Sequence, residues 1–469
     1  MRKTISTKTL GILILSLFYI SLNIIAQNIY ENLPSGLSSV NKNYQQKIAS
    51  VNIKEEKNYL LPAVEVVGLN LFVGAFNTYV TDEDFAKISF KTIGDNFETG
   101  FVWDEDNYLT NQFFHPFHGA NYFNIARSSG LEFWESVPYT VGGSLMWEFF
   151  MENESPSYND LVNTSVTGIT FGEISYRVSN LIIDESTTGF ERFLRELTSS
   201  VINPMHGFNR LIKGDMWKSG LSNNQTNYKI TISTGAHNVF FENDISKTYA
   251  ALRANLVYGN IYDVKNHKSP FDYFSLHGEF NIAEGDDIIG IFASGVLTDR
   301  KVNLFNNSNN IIGLYKEVDF LSNEVYKLTA TSITGRLINR FDVSSLVEME
   351  NNITVSGILM GGTNSEYAAE EGKDYNLGPG ASGSIGIKFL FDDVAEVYSN
   401  YKRYWIHTLA GADGEEFIGL LNLGVNYDVF TKTGVGLEFL LYERYGEYEK
   451  YPDYSSSNSA LRFYVKYSI

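Results

Sequence analysis

Residues 421–429 read Leu-Asn-Leu-Gly-Val-Asn-Tyr-Asp-Val, and apolar side chains alternate with polar or small ones along the whole stretch. Alternation with a period of two indicates a β-strand that has one apolar and one polar face. The same pattern occurs at residues 228–237 and 252–259. The chain beyond residue 220 is therefore predicted to consist of strands.

Alternation alone does not distinguish a membrane barrel, whose apolar face is turned outward, from a soluble barrel or sandwich, whose apolar face is turned inward. Strand and turn lengths favour the membrane barrel. The strands have roughly ten residues or more, which is the length that crosses a bilayer at a tilt. Turns alternate between short, as at Asp392-Asp393, and long, as predicted for Tyr445 to Ser459. Membrane barrels have one plain and one elaborate rim of this kind.

The last residues of the chain also favour a membrane barrel. One face of this final strand is apolar throughout and carries Leu461, Phe463, Val465, Tyr467 and Ile469. This pattern resembles the signal by which outer-membrane barrels are recognised for assembly, although the last residue is Ile rather than the commoner Phe. Over residues 221–469 we predict a β-barrel membrane protein with about 12 antiparallel strands. Outer-membrane lipids and the barrel-assembly machinery are its expected partners.

Composition narrows the class of protein. Phe and Tyr number 33 and 30, which is typical of barrels with aromatic girdles. The sequence has no Cys, which excludes disulfides, a thiol nucleophile, a Cys-ligated metal site and a lipoprotein anchor. The formal charge is −19 and Lys and Arg form no cluster, so we expect no nucleic-acid partner.

The N-terminus carries the clearest targeting signal. Arg2, Lys3 and Lys8 precede an apolar core at residues 10–20, and Ala26 offers a small residue for cleavage. The apolar run is too short for a membrane anchor. Residues 1–26 are therefore predicted to be a signal peptide that directs export to the outer membrane. Residues 27–57, which are polar, are predicted to form a flexible leader.

Residues 58–220 are predicted to form a mainly helical module with a short hairpin. The predicted helices begin near Pro62, Ser136, Ser157 and Phe190. Residues 86–110 are interpreted as strand-turn-strand. No segment after residue 26 holds roughly 20 uninterrupted apolar residues, so only the barrel is expected to cross the membrane.

Polar side chains in this helical module are the candidates for chemistry. The candidate catalytic residues are His115, His118, Glu148, Glu152, Asp160 and Glu173. Buried carboxylates are costly unless they are paired or bound to a cation. A carboxylate–histidine acid/base pair is one interpretation. A carboxylate/imidazole metal site is another, for which the candidate ligands are His115, Glu148, Glu152 and Glu173.

A structural interpretation exists for three of these features. Ser157-x-x-Asp160 has the spacing of a helix capping box. Glu173 precedes Arg177 by four residues, which is the favourable orientation for a helical ion pair. Gly168-x-x-x-Gly172 allows two helices to approach closely.

Ordered motifs in this segment resemble a known family. They occur in NQFFHPFHGANYFNIARSSGLEFWES, in SLMWEFFMENESPSYNDLVNTSVTGITFGEISYR and in INPMHGFNRLIKGD. Over residues 60–215 the chain resembles the exported proteins grouped as domain of unknown function 3943. The matching positions are Asn111, His115, Pro116, His118, Gly119, Tyr122, Arg127, Gly130, Trp147, Glu148, Glu152, Pro156, Ser157, Asp160, Gly168, Gly172, Glu173, Arg177, Pro204 and Arg210 to Gly214. His206 departs from the pattern, in which Arg is expected. The resemblance implies an outer-membrane protein whose helical module lies beside or inside a barrel, and it implies no activity.

Three functions fit the sequence. The favoured one is a non-catalytic scaffold or narrow channel in which the helices form a plug or cap. The second is a membrane-embedded, lipid-modifying hydrolase that uses the His/Glu cluster. The third is a ligand receptor with specificity in its long loops. None of the three requires a cofactor.

Overall fold

The computed structural model describes residues 57–103, 108, 110–220, 226–241, 246–283, 287–304, 308–323, 325–392 and 394–469. The predicted signal peptide and nearly all of the predicted leader lie outside these ranges.

Twelve strands form the C-terminal part of the described chain. They are β1 (Tyr228–Phe240), β2 (Ser246–Tyr258), β3 (Phe274–Ile282), β4 (Asp287–Val302), β5 (Ser308–Ser322), β6 (Lys327–Ser344), β7 (Val347–Thr363), β8 (Asn376–Phe391), β9 (Ala395–His407), β10 (Gly414–Phe430), β11 (Thr433–Tyr448) and β12 (Tyr454–Ser468). Each strand pairs antiparallel with its neighbours in sequence, and β1 pairs with β12 to close the barrel. The predicted fold class and strand number are confirmed.

Contacts across the barrel identify its inner face. Glu317 and Asp319 on β5 bond Lys402 on β9, four strands away, so these side chains point into the lumen. The intervening Val318 and its neighbour Phe320 therefore point outward, because successive side chains of a strand alternate between faces. We call the end at which β1 begins and β12 ends the near end, and the opposite end the far end.

Much of the outer face is apolar and exposed. Large exposed side chains include Val355, Leu437 and Phe463, at 71%, 52% and 56% exposure. Water penalises such a surface, whereas a bilayer accommodates it. A closed, even-stranded antiparallel barrel with an outward apolar band is the architecture of outer-membrane proteins. The chain is therefore a membrane β-barrel of the outer-membrane type.

Helices occupy most of the described chain before the barrel. The α-helices are α1 (Leu60–Tyr79), α2 (Phe90–Thr99), α3 (His115–Ser128), α4 (Phe133–Phe150), α5 (Tyr158–Val162), α6 (Gly168–Ile182), α7 (Gly189–Ile202) and α8 (Pro204–Lys213). A π-helical turn at Asn163–Thr167 joins α5 to α6. Residues 158–182 therefore form one continuous helical rod.

The long helices run between the two ends of the barrel. At the near end, Phe133 at the start of α4 stacks on Phe271 of the β2–β3 loop. Arg177, towards the end of α6, bonds Asp272 of the same loop. At the far end, Tyr108 and Val162 pack with Tyr375 of the β7–β8 loop. The helical module therefore spans the height of the barrel wall.

The helices pack on the outside of this wall. Phe123, Phe133 and Ile174 form one buried cluster with outward-facing side chains of the first five strands. Those barrel residues are Ile230, Leu256, Phe274, Ala293 and Val318. Further along the wall, Thr167 Oγ1 hydrogen-bonds Thr331 Oγ1 of β6 at 2.5 Å. The expectation of a helical plug in the lumen is therefore wrong for the described helices.

The predicted hairpin at residues 86–110 is also wrong, because residues 90–99 form α2. Ser89 and Thr92 make a reciprocal capping box, which satisfies amide groups that a first helical turn leaves open. Asn96 is buried and donates to the carbonyl of Glu152 at the end of α4. Local capping and this tertiary contact stabilise a helix where the sequence was interpreted as a strand and turn.

Two smaller expectations need correction. Tyr445 to Ser459 is not a long loop, since β11 extends to Tyr448 and β12 begins at Tyr454. The longest connection, residues 259–273, lies at the near end beside short turns.

Among the described helices, α1 is long and apolar enough to cross a membrane by length and composition. The sequence criterion missed it because Glu65 and Asn70 interrupt the apolar run.

Candidate functional site

Five of the six candidate residues lie in one polar cluster inside the helical module. The contacts of its members, some of them through Trp147 and Ser157, join α3, α4 and α5. His115 Nε2 is 3.4 Å from Asp160 Oδ1. The backbone amide of Ser157 donates to Glu148 Oε2 at 2.9 Å. These contacts bring candidate residues from different helices to one region of the module.

Glu148 and Asp160 hold the start of α5 in place. Ser157 Oγ accepts from the amide of Asp160, as the predicted capping box requires. A complete capping box would also have the Ser157 amide donate to Asp160. Here that amide donates to Glu148 instead. Asp160 instead accepts from Asn159 Nδ2 and lies beside His115. These contacts fix the backbone where two helices meet.

His118 and Glu152 share Trp147 as a neighbour. The His118 ring packs on Tyr122 and Trp147, with centroid distances of 4.6 and 4.8 Å. The indole Nε1 of Trp147 donates to the Glu152 carboxylate. Among the described residues, His118 Nε2 has no hydrogen-bond partner. His118 is thus packed between aromatic rings.

Glu173 lies apart from this cluster. It is fully buried and bonds two arginines, Arg127 at 2.8 Å and Arg177 at 2.7 Å. Arg177 also bonds Asp272 of the barrel at 3.0 Å. The predicted Glu173–Arg177 ion pair is confirmed. The pair extends into a chain that links α3, α6 and the near-end loop.

Sequence reasoning missed two polar contacts in the same module. Asn70 of α1 is completely buried, donates to the carbonyl of Gly143 at 3.1 Å and accepts from Tyr122. Asn124 of α3 donates to Ser175 Oγ of α6 at 2.9 Å. An Asn inside an otherwise apolar helix was the available signal, because such a side chain needs a partner.

The predicted close approach at Gly168-x-x-x-Gly172 is confirmed. A Cβ on Gly168 would lie 2.7 Å from the Cα of Gly119 on α3, and one on Gly172 would lie 2.9 Å from Phe123. A Cβ on Gly119 would lie 1.6 Å from the Thr164 carbonyl oxygen. Small residues at helix interfaces are typical of helices that pack within membranes.

The geometry gives the metal hypothesis no support. Within the part of the chain that the structure describes, no group of three or more histidine and carboxylate side chains could hold a metal ion. The described contacts of Glu148, Asp160 and Glu173 are hydrogen bonds and ion pairs that join structural elements.

Side chains of the barrel fill the far half of the lumen. These side chains are buried and pack on one another across the lumen. They include Tyr249, Tyr326, Tyr404, Tyr442, Ile406 and Ile418. Beyond them, at the far rim, Arg444 bonds Glu416 at 3.1 Å and Glu366 at 3.0 Å. We call the apolar group the lumen layer.

Ion pairs cross the lumen on the near side of this layer. Arg462 bonds Glu279 and Glu438, both at 3.0 Å. Arg253 bonds Glu438 at 2.8 Å. Charges buried in this way are stable only when they are paired.

A polar vestibule lies between these ion pairs and the near end. Its volume is about 500 Å³, and its lining includes Lys229, His277, Lys388, Tyr398 and Asp428. The lumen thus has an open, polar near half and a packed far half.

Two charged contacts involve a residue outside the membrane-spanning strands and helices, Lys57 in one and His267 in the other. Lys57 bonds Glu135 and Glu132, both at 2.9 Å, and these hydrogen bonds raise the pKa of Lys57 above its ordinary value. In the β2–β3 loop, His267 Nδ1 lies 2.8 Å from Asp299. Burial lowers the pKa of His267, but the bond to Asp299 more than offsets this, so that its pKa lies above its ordinary value.

Comparison with known proteins agrees with the helical part. Residues 100–205 match the family described as Domain of unknown function (DUF3943). The predicted resemblance is therefore confirmed. The match covers the polar cluster and the tight helix pair. No curated protein matches the chain significantly.

Solved structures similar to part of this chain are membrane barrels. The NanC porin is 8% identical, with 51% of this chain and 98% of that chain covered and a TM-score of 0.30. The Pseudomonas putida toluene transporter TodX is 8% identical, with 53% and 90% covered and a TM-score of 0.23. The anion-selective porin from Comamonas acidovorans is 8% identical, with 52% and 100% covered and a TM-score of 0.21. We draw no functional inference from likenesses this distant.

Proposed function

We propose that this protein is a non-catalytic outer-membrane scaffold whose barrel holds a helical module in place and does not conduct solutes. The observation that carries the proposal is the lumen layer. Tyr249 on β2, Tyr404 on β9 and Ile418 on β10 come from different strands and are each at most 1% exposed. Side chains that fill a barrel in this way make it a packed core rather than a pore.

The ion pairs support the same function. Lys402 on β9 reaches Asp319 at 2.7 Å and Glu317 at 3.2 Å on β5, four strands away. Arg336 on β6 also bonds Glu317, at 2.5 Å. The bonds of Lys402 join β9 to β5 across the lumen and oppose the opening of a path. A rigid barrel is suited to carrying a second structural unit on its outer surface.

The polar cluster of the module also fits a scaffold. Its described contacts cap helices and join them, and Glu173 is neutralised by two arginines. A hydrolase would need these groups to converge on an accessible cavity. The cavity of about 500 Å³ lies in the lumen and is lined by barrel residues.

Single-molecule conductance tests the proposal. The purified protein, with folding checked by heat-modifiable gel mobility, is inserted into planar bilayers. We expect no stable open-state current. A variant that combines Tyr326→Ala, Tyr404→Ala and Tyr442→Ala removes three rings of the lumen layer and is expected to conduct. The matched control, Tyr427→Ala, removes a ring that is 52% exposed and is expected to stay silent. Stable currents through the unmodified protein would overturn the proposal.

Export and assembly are part of the proposal. The positive N-terminus and the apolar core after it support a cleavable signal peptide ending at Ala26. N-terminal sequencing of the mature protein should then begin at Gln27. The apolar outer face of β12 supports recognition by the barrel-assembly machinery. Deletion of residues 461–469 should abolish assembly, which would appear as loss of the heat-modifiable band.

A further inference from the structure

The helical module has the polarity of a membrane protein. Its interior holds buried polar side chains such as Asn70, Glu148 and Glu173, at 0%, 1% and 0% exposure. Its surface is rich in large apolar ones. On α1, Phe72 and Leu60 are 68% and 74% exposed. A water-soluble helical bundle buries such side chains.

The dimensions of the module match a bilayer. With 20 residues, α1 is about 30 Å long, close to the hydrocarbon thickness of a bilayer. It runs beside α4, since Lys57 before α1 bonds Glu132 before α4. At the other end, Gly74 of α1 lies against Met151 after α4. Because the module spans the height of the wall, its apolar surface continues the lipid-facing surface of the barrel.

At the near end, α7 has the pattern of an interfacial helix. Phe190, Phe193, Leu197 and Val201 form one exposed apolar stripe, at 73%, 58%, 48% and 40% exposure. Its arginines point the other way. Arg192 is buried and bonds Glu196 at 2.9 Å. A helix with one apolar and one charged face lies in the plane of a membrane interface.

We infer that the helical module resides in the same bilayer as the barrel, with α1 and α4 crossing the hydrocarbon and α7 lying at the near-end interface. The occupant of the exposed apolar faces is lipid. Three observations carry this: the inverted polarity of the module, the length of α1, and the continuity of its surface with the barrel's outer face. A membrane lacks water to satisfy polar groups, which explains why the polar side chains of the module turn inward.

Single-cysteine labelling tests this directly, because the chain contains no Cys. Four variants each carry one nitroxide spin label: Phe72→Cys on α1, Leu197→Cys on α7, Val355→Cys on the bare outer wall and Ser345→Cys in the exposed β6–β7 turn. The full chain is reconstituted into phosphatidylcholine/phosphatidylglycerol vesicles. Collision rates are measured with oxygen, which concentrates in hydrocarbon, and with a water-soluble nickel chelate.

We expect the ratio of oxygen to nickel collision rates at Phe72 to match the ratio at Val355. Both ratios should be clearly higher than the ratio at Ser345, because oxygen concentrates in hydrocarbon. Leu197 should give an intermediate depth. A ratio at Phe72 equal to that at Ser345 would place the module in water and overturn the inference. Low collision rates with both reagents would show a protein cover, such as a second copy, and would also overturn it. Leu71→Cys, at 55% exposure, serves if Phe72→Cys does not fold. The result is independent of whether the barrel conducts.

Discussion

The outer wall of the barrel has two arcs that differ in what covers them. On the bare arc, which no described helix covers, the side chains of Leu437 and Phe463 are 52% and 56% exposed. On the covered arc, Phe274 and Val318 are 0% and 4% exposed beneath the helices. Both arcs are apolar, as the period-two alternation requires. The difference teaches that helices replace lipid on one side of this barrel. On that side a buried hydrogen bond, Thr167–Thr331, joins the module to the wall.

The largest effect is expected where the helices approach most closely. Gly119→Leu would drive a side chain into the Thr164 carbonyl, which a Cβ alone would approach to 1.6 Å. The helices must separate, at a cost in unfolding free energy in the exceptional range of about 5 kcal/mol or more. Protease protection of the module should be lost. Gly142→Leu is the control, since nothing lies within 4 Å of its Cβ position. Equal protection in both variants would contradict the packing.

Breaking the ion chain should have the next largest effect. Glu173→Ala leaves Arg127 and Arg177 without their shared carboxylate. Removing one partner of a buried pair costs about 3–5 kcal/mol. Denaturant unfolding of the reconstituted protein measures this cost. Asp84→Ala is the control, because its carboxylate is 96% exposed and its partner Lys87 is 46% exposed, so the variant leaves no buried charge. Comparable losses in both variants would argue against a buried network.

A pair of phenylalanines compares the two arcs directly. Phe274→Ala removes a ring that lies under the helices, and we expect a loss of about 3 kcal/mol. Phe463→Ala removes a ring on the bare arc, where lipid fills the space, so its loss should be smaller. The two variants are compared by the midpoint of denaturant unfolding. A larger loss at Phe463 would invert the assignment of the covered arc.

The hydrogen bond between the module and the wall is expected to contribute less. Thr331→Val removes one hydroxyl of the Thr167–Thr331 pair and should cost about 1 kcal/mol. The double variant with Thr167→Val should recover part of this, because both unmet hydroxyls are then gone. A double-mutant cycle on unfolding free energies measures the coupling, and a coupling of zero would show that the bond is not formed.

The smallest effect depends on pH. The pKa of His267 is raised, so its bond to Asp299 stabilises fully below the ordinary pKa of histidine. The contribution is lost as pH rises through the raised value. Hydrogen exchange in residues 259–273 should therefore quicken as pH rises above the ordinary histidine pKa of about 6.5, beyond the intrinsic base-catalysed rate. Asp299→Asn should remove this pH dependence, and its persistence would assign the effect to another group.

The sequence predicted the barrel well because period-two alternation is a local signal that recurs in several strands, as at residues 228–237, 252–259 and 421–429. The strand number and the outward face of β12 follow from it. The position of the helices could not follow, since nothing in α3 or α6 tells a lumen apart from an outer wall. The hairpin error at residues 86–110 arose because capping by Ser89 was overlooked.

Site prediction was partly successful for a physical reason. Buried polar residues need partners; His115 lies against Asp160, and Glu148 accepts from the Ser157 amide. Glu173 was expected to pair with Arg177, four residues away, and it does. Its second partner, Arg127, lies on another helix, and spacing along one helix carries no information about such a contact.

The most direct test of the central claim is a disulfide cross-link between the module and the outer wall. The chain has no Cys, so Thr167→Cys with Thr331→Cys introduces a single pair at positions whose side chains touch. The control pairs Thr167→Cys with Ala330→Cys, whose side chain faces the lumen. Oxidation in membranes followed by non-reducing gel electrophoresis should show a cross-link for the first pair and none for the control. A cross-link in the control alone would place the helices inside the barrel and contradict the account.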